Sequence, residues 1–431
     1  MKRVLALVLG GLLLAAGIYG AAVSRRDTDY RHLIEQGDAA LARDDSFAAI
    51  EAFTLAQDLK ADSMAAYLKR GEAYRRRNEF QNAERDLKRA AELDPMAPLP
   101  YELLGDVYYG MAAGQREFSS ARLVQAVEQY AASSSLDDAT ARVQYKLGLA
   151  SYQAGQPSNA IAAFRRAIGL DARFAEAHYM LGVCLRRLQQ PSEAILSLKR
   201  AVALGPAFLP AREELVDLYS RLGRFEDALE ELEVLRSLAP SPARERQVGL
   251  GYARAGHVDR AVAHLGHTAR RYPDDAETFV ALGRFWLSRA APGERVEVNK
   301  ALEALERGVG TDSSSEALAL LGRAQLLAGQ LTKAEATLQL ATARFPLDPL
   351  AFIYLADVAA RRGRLDMADR AMLDYAALTR FDAIDIHTLL RIAEASLRAG
   401  HTSEARRAAN AVLAKDPANA AAQALLLRIA P

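Results

Sequence analysis

The feature that most constrains this chain is a sequence pattern that returns about every 34 residues. Residues 67–95, YLKRGEAYRRRNEFQNAERDLKRAAELDP, align without gaps with residues 178–206, HYMLGVCLRRLQQPSEAILSLKRAVALGP. Each segment begins with a large residue followed by a small one, continues through two helical runs and ends in proline. Self-similarity at a period of this length is typical of repeat arrays. We therefore expect each unit to be two antiparallel helices that bury their apolar faces against neighbouring units.

The pattern predicts eleven units in tandem. Their predicted starts are Tyr30, Met64, Pro98, Ala141, Ala175, Leu209, Pro242, Ala276, Ser315, Pro349 and Ile386. Every unit has an alanine at one position of its second helix, namely Ala49, Ala83, Ala126, Ala160, Ala194, Ala228, Ala261, Ala301, Ala334, Ala368 and Ala405. Eight units have a glycine in the first helix, namely Gly37, Gly71, Gly105, Gly148, Gly182, Gly249, Gly283 and Gly322. In the other three units this position holds Val216, Ala356 or Ala393.

These small residues predict a close approach of the two helices in each unit. We expect Gly148 to face Ala160 and Gly182 to face Ala194, with larger residues such as Phe164 beside the contact. Glycine inside a helix costs up to about 1 kcal/mol relative to alanine. Its recurrence at one position therefore indicates a packing requirement.

The pattern resembles the tetratricopeptide repeat, whose signature is W-x2-L-G-x2-Y in the first helix and A-x3-F…A…P in the second. The resemblance covers residues 30–419 and implies an all-α, right-handed superhelical solenoid of about eleven helix-turn-helix repeats. The signature tryptophan is absent, and Trp286 stands where the tyrosine belongs. Insertions near 110–120 and 290–296 are expected between the two helices of a unit. Residues 420–431 are expected to form a C-terminal capping helix.

Residues 1–29 form a separate segment, in which one hydrophobic helix precedes the repeats. Residues 4–23, VLALVLGGLLLAAGIYGAAV, carry no charge and as a helix would reach about 30 Å, enough to cross a bilayer core. The prediction is a membrane anchor, followed by a short linker at 24–29. The alternative is a secretory signal cleaved after small residues such as Ala22. Because a short basic N-terminus normally stays in the cytosol, the repeats are expected to be periplasmic or extracytoplasmic, and secreted or periplasmic if cleavage occurs.

Charge and motifs argue against a catalytic or nucleic-acid-binding protein. With 55 basic and 54 acidic residues, the net charge of +1 creates no field that would attract nucleic acid. The sequence contains no phosphate-binding Gly-x4-Gly-Lys-Ser/Thr loop, no H-E-x-x-H zinc helix and no G-x-S-x-G nucleophile turn. We therefore expect no catalytic residue, no cofactor and no small-molecule substrate.

Two groups of residues could have carried metal or thiol chemistry. The single cysteine, Cys184, stands close to the packing position Gly182 and is expected to be a small buried apolar residue. His257, His264 and His267 form the densest histidine cluster, but the repeat register fixes no carboxylate or thiolate beside them. They are therefore expected on the outer surface, and no metal site is predicted.

The resemblance implies that the first helices line a concave groove that grips an extended or helical peptide. The predicted groove residues are Tyr109, Tyr145, Leu149, Tyr152, Tyr179, Arg186 and Arg187. Tyrosine and arginine dominate binding hot spots, so this group favours a partner-binding surface. The alternative is that the tyrosines pack between repeats and the charged residues pair with neighbouring helices.

The function expected from these features is a non-catalytic scaffold whose partners are other proteins or peptides. The Ala/Leu/Arg-rich composition suggests a bacterial protein, and the segment at residues 4–23 suggests a role at a membrane, in a cell-envelope assembly or export process. The alternative is an accessory or substrate-positioning subunit of an enzyme complex for envelope polysaccharide or secretion.

The hydrophobic segment gives the first testable prediction. The full chain should sediment with membranes and resist carbonate extraction, whereas a chain lacking residues 1–26 should remain in the supernatant, because only the former carries the apolar segment. Recovery of exported protein that lacks residues 1–22 would instead support the cleaved signal and contradict the anchor.

Overall fold

The computed structural model describes residues 23–113, 120–290, 295–310 and 313–429. These residues form 23 α-helices and one short 3-10 helix, and none of them lies in a strand. The helices belong to two compact units, Met1–Leu222 and Gly223–Pro431, here called unit 1 and unit 2. The predicted all-helical array of paired helices is confirmed. The predicted hydrophobic helix at residues 4–23 lies outside the described residues except for Val23.

Unit 1 contains the first eleven helices. They are α1 (23–42), α2 (Ser46–Leu59), α3 (Met64–Arg76), α4 (Phe80–Leu93), α5 (Pro98–Ala113), α6 (Ser120–Leu136), α7 (Ala141–Gln153), α8 (Pro157–Leu170), α9 (Ala175–Arg187), α10 (Pro191–Leu204) and α11 (Leu209–Arg221). The predicted repeat starts from Met64 to Leu209 coincide with the first residues of α3, α5, α7, α9 and α11.

Unit 2 continues the pattern of paired helices. Its elements are α12 (Phe225–Leu238), α13 (Pro242–Arg254), α14 (Val258–Arg271), α15 (Ala276–Arg289), α16 (Arg295–Gly308), α17 (Ser315–Leu327), α18 (Leu331–Thr342), α19 (Pro349–Arg361), α20 (Leu365–Leu378), the 3-10 helix Phe381–Ala383, α21 (Ile386–Arg398), α22 (Thr402–Lys415) and α23 (Ala420–Ile429). The predicted starts from Pro242 to Ile386 are again the first residues of helices. The last helix, α23, buries Ala422 and Leu425 in the terminal apolar cluster.

The signature glycines lie against one large side chain of the paired helix. A Cβ built on any of the eight glycines would come within 3 Å of that side chain. The partners are Phe53, Leu87, Tyr130, Phe164, Leu198, Leu265, Leu305 and Leu338. Each of them follows the signature alanine by four residues, and all eleven signature alanines are buried. The missing glycine side chain therefore provides the space for the large residue.

This contact corrects one detail of the sequence analysis. Gly148 and Gly182 do not mainly face the side chains of Ala160 and Ala194, as expected, because those alanines lie one helical turn before the contact. The nearest atoms belong to Phe164 and to Leu198, and the backbone oxygen of Ala194 lies 3.2 Å from the position of a Cβ on Gly182. The four small residues are nevertheless buried as predicted.

Two pairs in unit 2 show how the contact adapts when glycine is lost. Ala356 of α19 and Ala393 of α21 occupy the glycine position and are fully buried. The residues at the facing register position are Met372 and Ala409, which join the same apolar cluster. Methionine is flexible and alanine is small. Where the first helix has alanine instead of glycine, the facing residue of the second helix is therefore one that fits the smaller space.

The extra residues of irregular repeats fall at the ends of helices. The third pair has unusually long helices, since α5 has 16 residues and α6 has 17. Residues 114–119 and 291–294, which hold much of the two predicted insertions, lie outside the described residues and follow α5 and α15 in the chain. The repeat that begins at Pro349 is lengthened by the 3-10 helix between α20 and α21. The described helices on either side agree with the predicted positions of both insertions in the chain.

The expected linker at 24–29 is helical instead, because α1 covers residues 23–42. Asp27 accepts a 3.0 Å hydrogen bond from Nε of Arg31 one turn later, and Nζ of Lys60, which directly follows α2, also reaches this carboxylate. Hydrogen bonds from Lys60 and then Arg31 lower the pKa of Asp27 to about 2. As part of a helix, the six residues 24–29 span about 9 Å, whereas the same residues as an extended linker would span about 20 Å.

The packing contact predicts opposite effects for two glycine-to-alanine changes in the same repeat. Gly148→Ala places a Cβ 2.5 Å from Cε1 of the buried Phe164 ring. Overpacking of this kind costs about 1–3 kcal/mol, and the gain of about 1 kcal/mol in helix propensity offsets only part of it. Gly169→Ala in α8 meets nothing within 4 Å. This control should stabilise the chain by about 0.4–1 kcal/mol.

Urea unfolding of the full chain measures both changes. The midpoint should fall for Gly148→Ala and rise for Gly169→Ala. Equal shifts of the same sign would contradict the close contact between Gly148 and Phe164.

Candidate functional site

Four of the predicted groove residues are tyrosines on three successive first helices. Tyr109 lies on α5, Tyr145 and Tyr152 on α7, and Tyr179 on α9, and all four are half-buried. Burial raises the pKa of the Tyr109 phenol. Burial also raises the pKa of Tyr145, with smaller contributions from Glu176 and from the phenols of Tyr109 and Tyr179. The structure therefore brings these side chains into one neighbourhood, here called the tyrosine row. Leu149, between Tyr145 and Tyr152 on α7, is also half-buried.

Two phenylalanines that the sequence analysis missed hold the tyrosine row in place. The ring centroid of Tyr145 lies 4.8 Å from that of Phe174 and 5.7 Å from that of Phe164. Tyr179 makes an edge-to-face contact with Phe208 at 5.2 Å. Phe174 and Phe208 each precede the first residue of the next first helix. Their shared repeat position, 29 residues after each tyrosine, was the available signal. The predicted alternative of packing between repeats thus describes part of what Tyr145 and Tyr179 do.

The outer end of the tyrosine row is a tyrosine–arginine pair. The guanidinium carbon of Arg187 lies 5.4 Å from the ring centroid of Tyr152, in the range of a cation–π contact. Arg187 is exposed and Tyr152 is half-buried. In the described part of the chain no carboxylate lies within ion-pair distance of Arg187. The positive charge of Arg187 is therefore not paired with a carboxylate of the described chain.

Arg186 does not contribute a free positive charge to a basic patch, as the sequence analysis expected. Its Nε lies 2.9 Å from Oε2 of Glu214 and its Nη1 lies 3.7 Å from Oδ2 of Asp217, both on α11. The repeat register brings the last turn of α9 against these acidic residues, so an ion pair between repeats forms within unit 1. Of the two predicted arginines, only Arg187 is left without such a carboxylate partner among the described residues.

The other end of the tyrosine row carries two acidic residues, Glu102 and Asp106, whose charge Lys146 offsets in part. Nζ of Lys146 lies 2.6 Å from Oε1 of Glu102 and 2.8 Å from Oδ1 of Asp106. Tyr130 donates a 2.7 Å hydrogen bond to Asp106, and burial together with the charge of Asp106 raises the pKa of that phenol. Lys146, which the sequence analysis did not single out, leaves this group of three side chains with one net negative charge.

The remaining sequence candidates are structural. Cys184 is fully buried, and burial raises the pKa of its thiol to about 12, as expected for an apolar packing residue. The described residues contain no group of three or more potential metal ligands. Among the described helices, none is long and apolar enough to cross a membrane.

The prediction that no carboxylate lies beside the histidine cluster is wrong. Carboxylates do lie beside two of these histidines. They come from the neighbouring helices α12 and α13 and not from α14 itself. Nε2 of His264 lies 3.0 Å from Oε2 of the buried Glu245, and Nε2 of His257 lies 2.9 Å from Oε1 of Glu226. His264 is partly buried, while His267 is exposed. Oε1 of Glu245 also lies 3.9 Å from Nη1 of Arg236 and 3.5 Å from Nη1 of Arg271, so His264 joins a small polar cluster between helices of unit 2.

Sequence models of known families match the chain in several places. A tetratricopeptide repeat model matches residues 111–173, 145–207, 297–349 and 321–382. A TPR repeat model matches residues 71–111, and a further tetratricopeptide repeat model matches residues 185–245. Together these matches cover more than half of the chain. No curated protein sequence matches it.

Several solved structures are similar in fold. YrrB, described as a TPR protein with an unusual peptide-binding site, is 23% identical, with a TM-score of 0.40 over 46% of this chain and 96% of its own. MamA from Desulfovibrio magneticus RS-1 is 18% identical, with a TM-score of 0.38 over 42% of this chain and 97% of its own. The pilF protein of Pseudomonas aeruginosa is 19% identical, with a TM-score of 0.37 over 50% of this chain and 94% of its own.

The aromatic contacts of the tyrosine row predict an energetic coupling. Tyr145→Ala and Phe174→Ala should each destabilise the full chain, and the double variant should lose less than the sum of the two. The coupling should be about 0.5–1.5 kcal/mol, because the ring contact is lost in both single variants. A double-mutant cycle in urea measures it. Strict additivity would show that the two rings do not stabilise each other.

Proposed function

The chain belongs to the tetratricopeptide repeat family, whose members are generally protein–protein interaction scaffolds, and we propose that it binds partner proteins through the tyrosine row of unit 1. The partner segment is an extended or helical peptide that contacts the first helices α5, α7 and α9. The chain's own role in this proposal is non-catalytic. It presents a rigid surface and holds its partner in place.

The observation that carries the proposal is the exposed Arg187 beside the half-buried ring of Tyr152. Tyrosine and arginine are over-represented among residues whose truncation weakens binding most. The rings of the tyrosine row offer apolar contact area to a partner. The entropic cost of binding is small, because the Tyr145 and Tyr179 rings are already packed against Phe174 and Phe208. Arg187 can donate paired hydrogen bonds to a carboxylate or a backbone carbonyl of the peptide.

Charge at the two ends of the tyrosine row supports a defined orientation of the peptide. Lys146 offsets one of the two negative charges of Glu102 and Asp106 at one end. Arg187, which has no carboxylate within ion-pair distance among the described residues, adds a positive charge near the other. A peptide whose acidic end lies at α9 fits this distribution better than the reverse direction. Charges of this kind select orientation and partner more than they add affinity.

The finer part of the proposal concerns location. We infer that residues 4–23 tether the repeats to a bacterial membrane, with the repeats outside the cytoplasm and the partner in an envelope assembly or export machine. The charge-free stretch of twenty residues next to Lys2 and Arg3 supports the tether. The membrane sedimentation experiment described above tests this part independently of peptide binding.

Substitutions at the exposed pair test the binding surface. Tyr152→Ala and Arg187→Ala should each weaken binding of a partner purified from solubilised membranes by about 1–2 kcal/mol, the range for hot-spot truncations. Stability should change by less than about 1 kcal/mol, because neither side chain belongs to the buried core. Titration calorimetry with the purified partner, together with urea unfolding, measures both quantities.

The matched control is Arg165→Ala on the second helix α8, where Arg165 pairs with Glu193 on the exposed surface at 2.9 Å. This change should alter neither binding nor stability by more than about 0.5 kcal/mol. Partner binding that is unaffected by Tyr152→Ala and Arg187→Ala would exclude the tyrosine row as the binding surface.

A further inference from the structure

Unit 2 contains a cleft of about 500 Å³ that does not involve the tyrosine row. It lies between α14, α15 and α16, and its apolar wall is formed by Phe279, Leu282 and Trp286 of α15. Phe279 and Leu282 are buried, whereas Trp286 is only half-buried. These three residues occupy the fourth, seventh and eleventh positions of their repeat. The tyrosine row uses the fifth and twelfth positions, so the cleft belongs to another side of the first helix.

One position in the lining of the cleft has no side chain. Gly266 of α14 lines it and follows the signature alanine Ala261 by five residues. Every other repeat has a side chain at this position: Thr54, Lys88, Ala131, Arg165, Lys199, Glu233, Glu306, Gln339, Leu373 and Asn410. Unlike the eight signature glycines, Gly266 is not in close contact with a large side chain of another helix. The nearest atom to a Cβ built there is Nη1 of Arg270, at 3.8 Å. The glycine therefore leaves open space rather than allowing close packing.

The rim of the cleft carries three positive charges. Nζ of Lys300 lies 4.4 Å from the ring of Trp286, and the guanidinium carbon of Arg307 lies 4.2 Å from the ring of Phe279. Arg270 supplies the third charge from α14. In the described residues, no carboxylate lies within ion-pair distance of any of the three. Glu303 is the single acidic residue of the lining.

The spacing of the charges indicates the shape of a ligand. Lys300 and Arg307 are seven residues apart on α16, which corresponds to about 10 Å along the helix. One carboxylate is too short to reach both, but two acidic residues three positions apart in an extended peptide span the same distance. Glu303 stands between the two cations and disfavours a third acidic group there. The apolar wall below favours a large apolar side chain in that place.

We propose that this cleft is a second docking site, which binds an extended acidic peptide segment of a partner protein. The segment carries two carboxylates three residues apart and one large apolar residue between them. The apolar side chain enters beside Trp286 and Gly266, and the carboxylates pair with Lys300 and Arg307. The site is independent of the tyrosine row, so a single chain can hold two partner segments of different chemistry.

Trp286 is the only tryptophan of the chain, so its fluorescence reports on this cleft alone. The experiment titrates the full chain, kept in solution by a non-ionic detergent, with the peptide acetyl-Gly-Glu-Gly-Leu-Glu-Gly-amide. Trp286 emission should shift to shorter wavelength and saturate, because the leucine side chain displaces water from the ring. A peptide with glutamine in place of both glutamates should give no saturable shift.

Three variants locate the binding. Lys300→Gln and Arg307→Gln should each raise the dissociation constant about tenfold, the effect of losing one charge-assisted contact. Gly266→Leu fills the cleft and should abolish the fluorescence response. Its matched control is Gly169→Leu in α8, another helical glycine with open space beside it, which should leave the response unchanged.

The proposal is overturned if the acidic peptide gives no saturable response, or if the glutamine peptide binds as tightly. It is also overturned if dodecanoate saturates the Trp286 signal while the peptide does not, because the cleft would then be a lipid site. Binding that survives Gly266→Leu but is lost with Tyr152→Ala would place the peptide on the tyrosine row instead. Normal peptide binding in the Tyr152→Ala variant separates this site from the proposed function.

Discussion

The contact between a glycine of one helix and a large side chain of its partner is the constraint on which this structure depends. Phe164 fits against α7 only because Gly148 has no Cβ, and Leu198 fits against α9 because of Gly182. The contact sets the distance and rotation of the two helices in each of the eight pairs that contain it. Once these are fixed, every position of the repeat has a defined place.

This constraint divides the positions of the first helix between packing and function. On α7, Val143, Gly148 and Ala150 are buried, whereas Tyr145 and Tyr152 remain half-exposed. Because the register is shared, Tyr109 and Tyr179 come close to them from the neighbouring repeats. The tyrosine row, the binding surface that we propose, thus follows from a packing contact that acts within single pairs. Sequence change on that surface can alter the partner without altering the fold.

The sequence predicted the fold well because the packing rule leaves a periodic pattern. Met64 and Ala141, for example, were predicted as repeat starts and are the first residues of α3 and α7. The contacts of side chains between repeats were harder to predict, since they depend on which residues meet across a stack. Arg186 was expected to face a partner but pairs with Glu214. Phe174 was overlooked because it lies in a turn, outside the helical pattern.

We propose that the tyrosine row contacts another protein while the second helices of the same repeats, such as α8, do not. Site-specific photo-cross-linking in living cells tests it most directly, with a photoreactive phenylalanine analogue placed at Tyr152 or, as the control, at Arg165. The account predicts a discrete cross-linked adduct from the position of Tyr152 on α7 and none from that of Arg165 on α8. Adducts from the Arg165 position alone would contradict it.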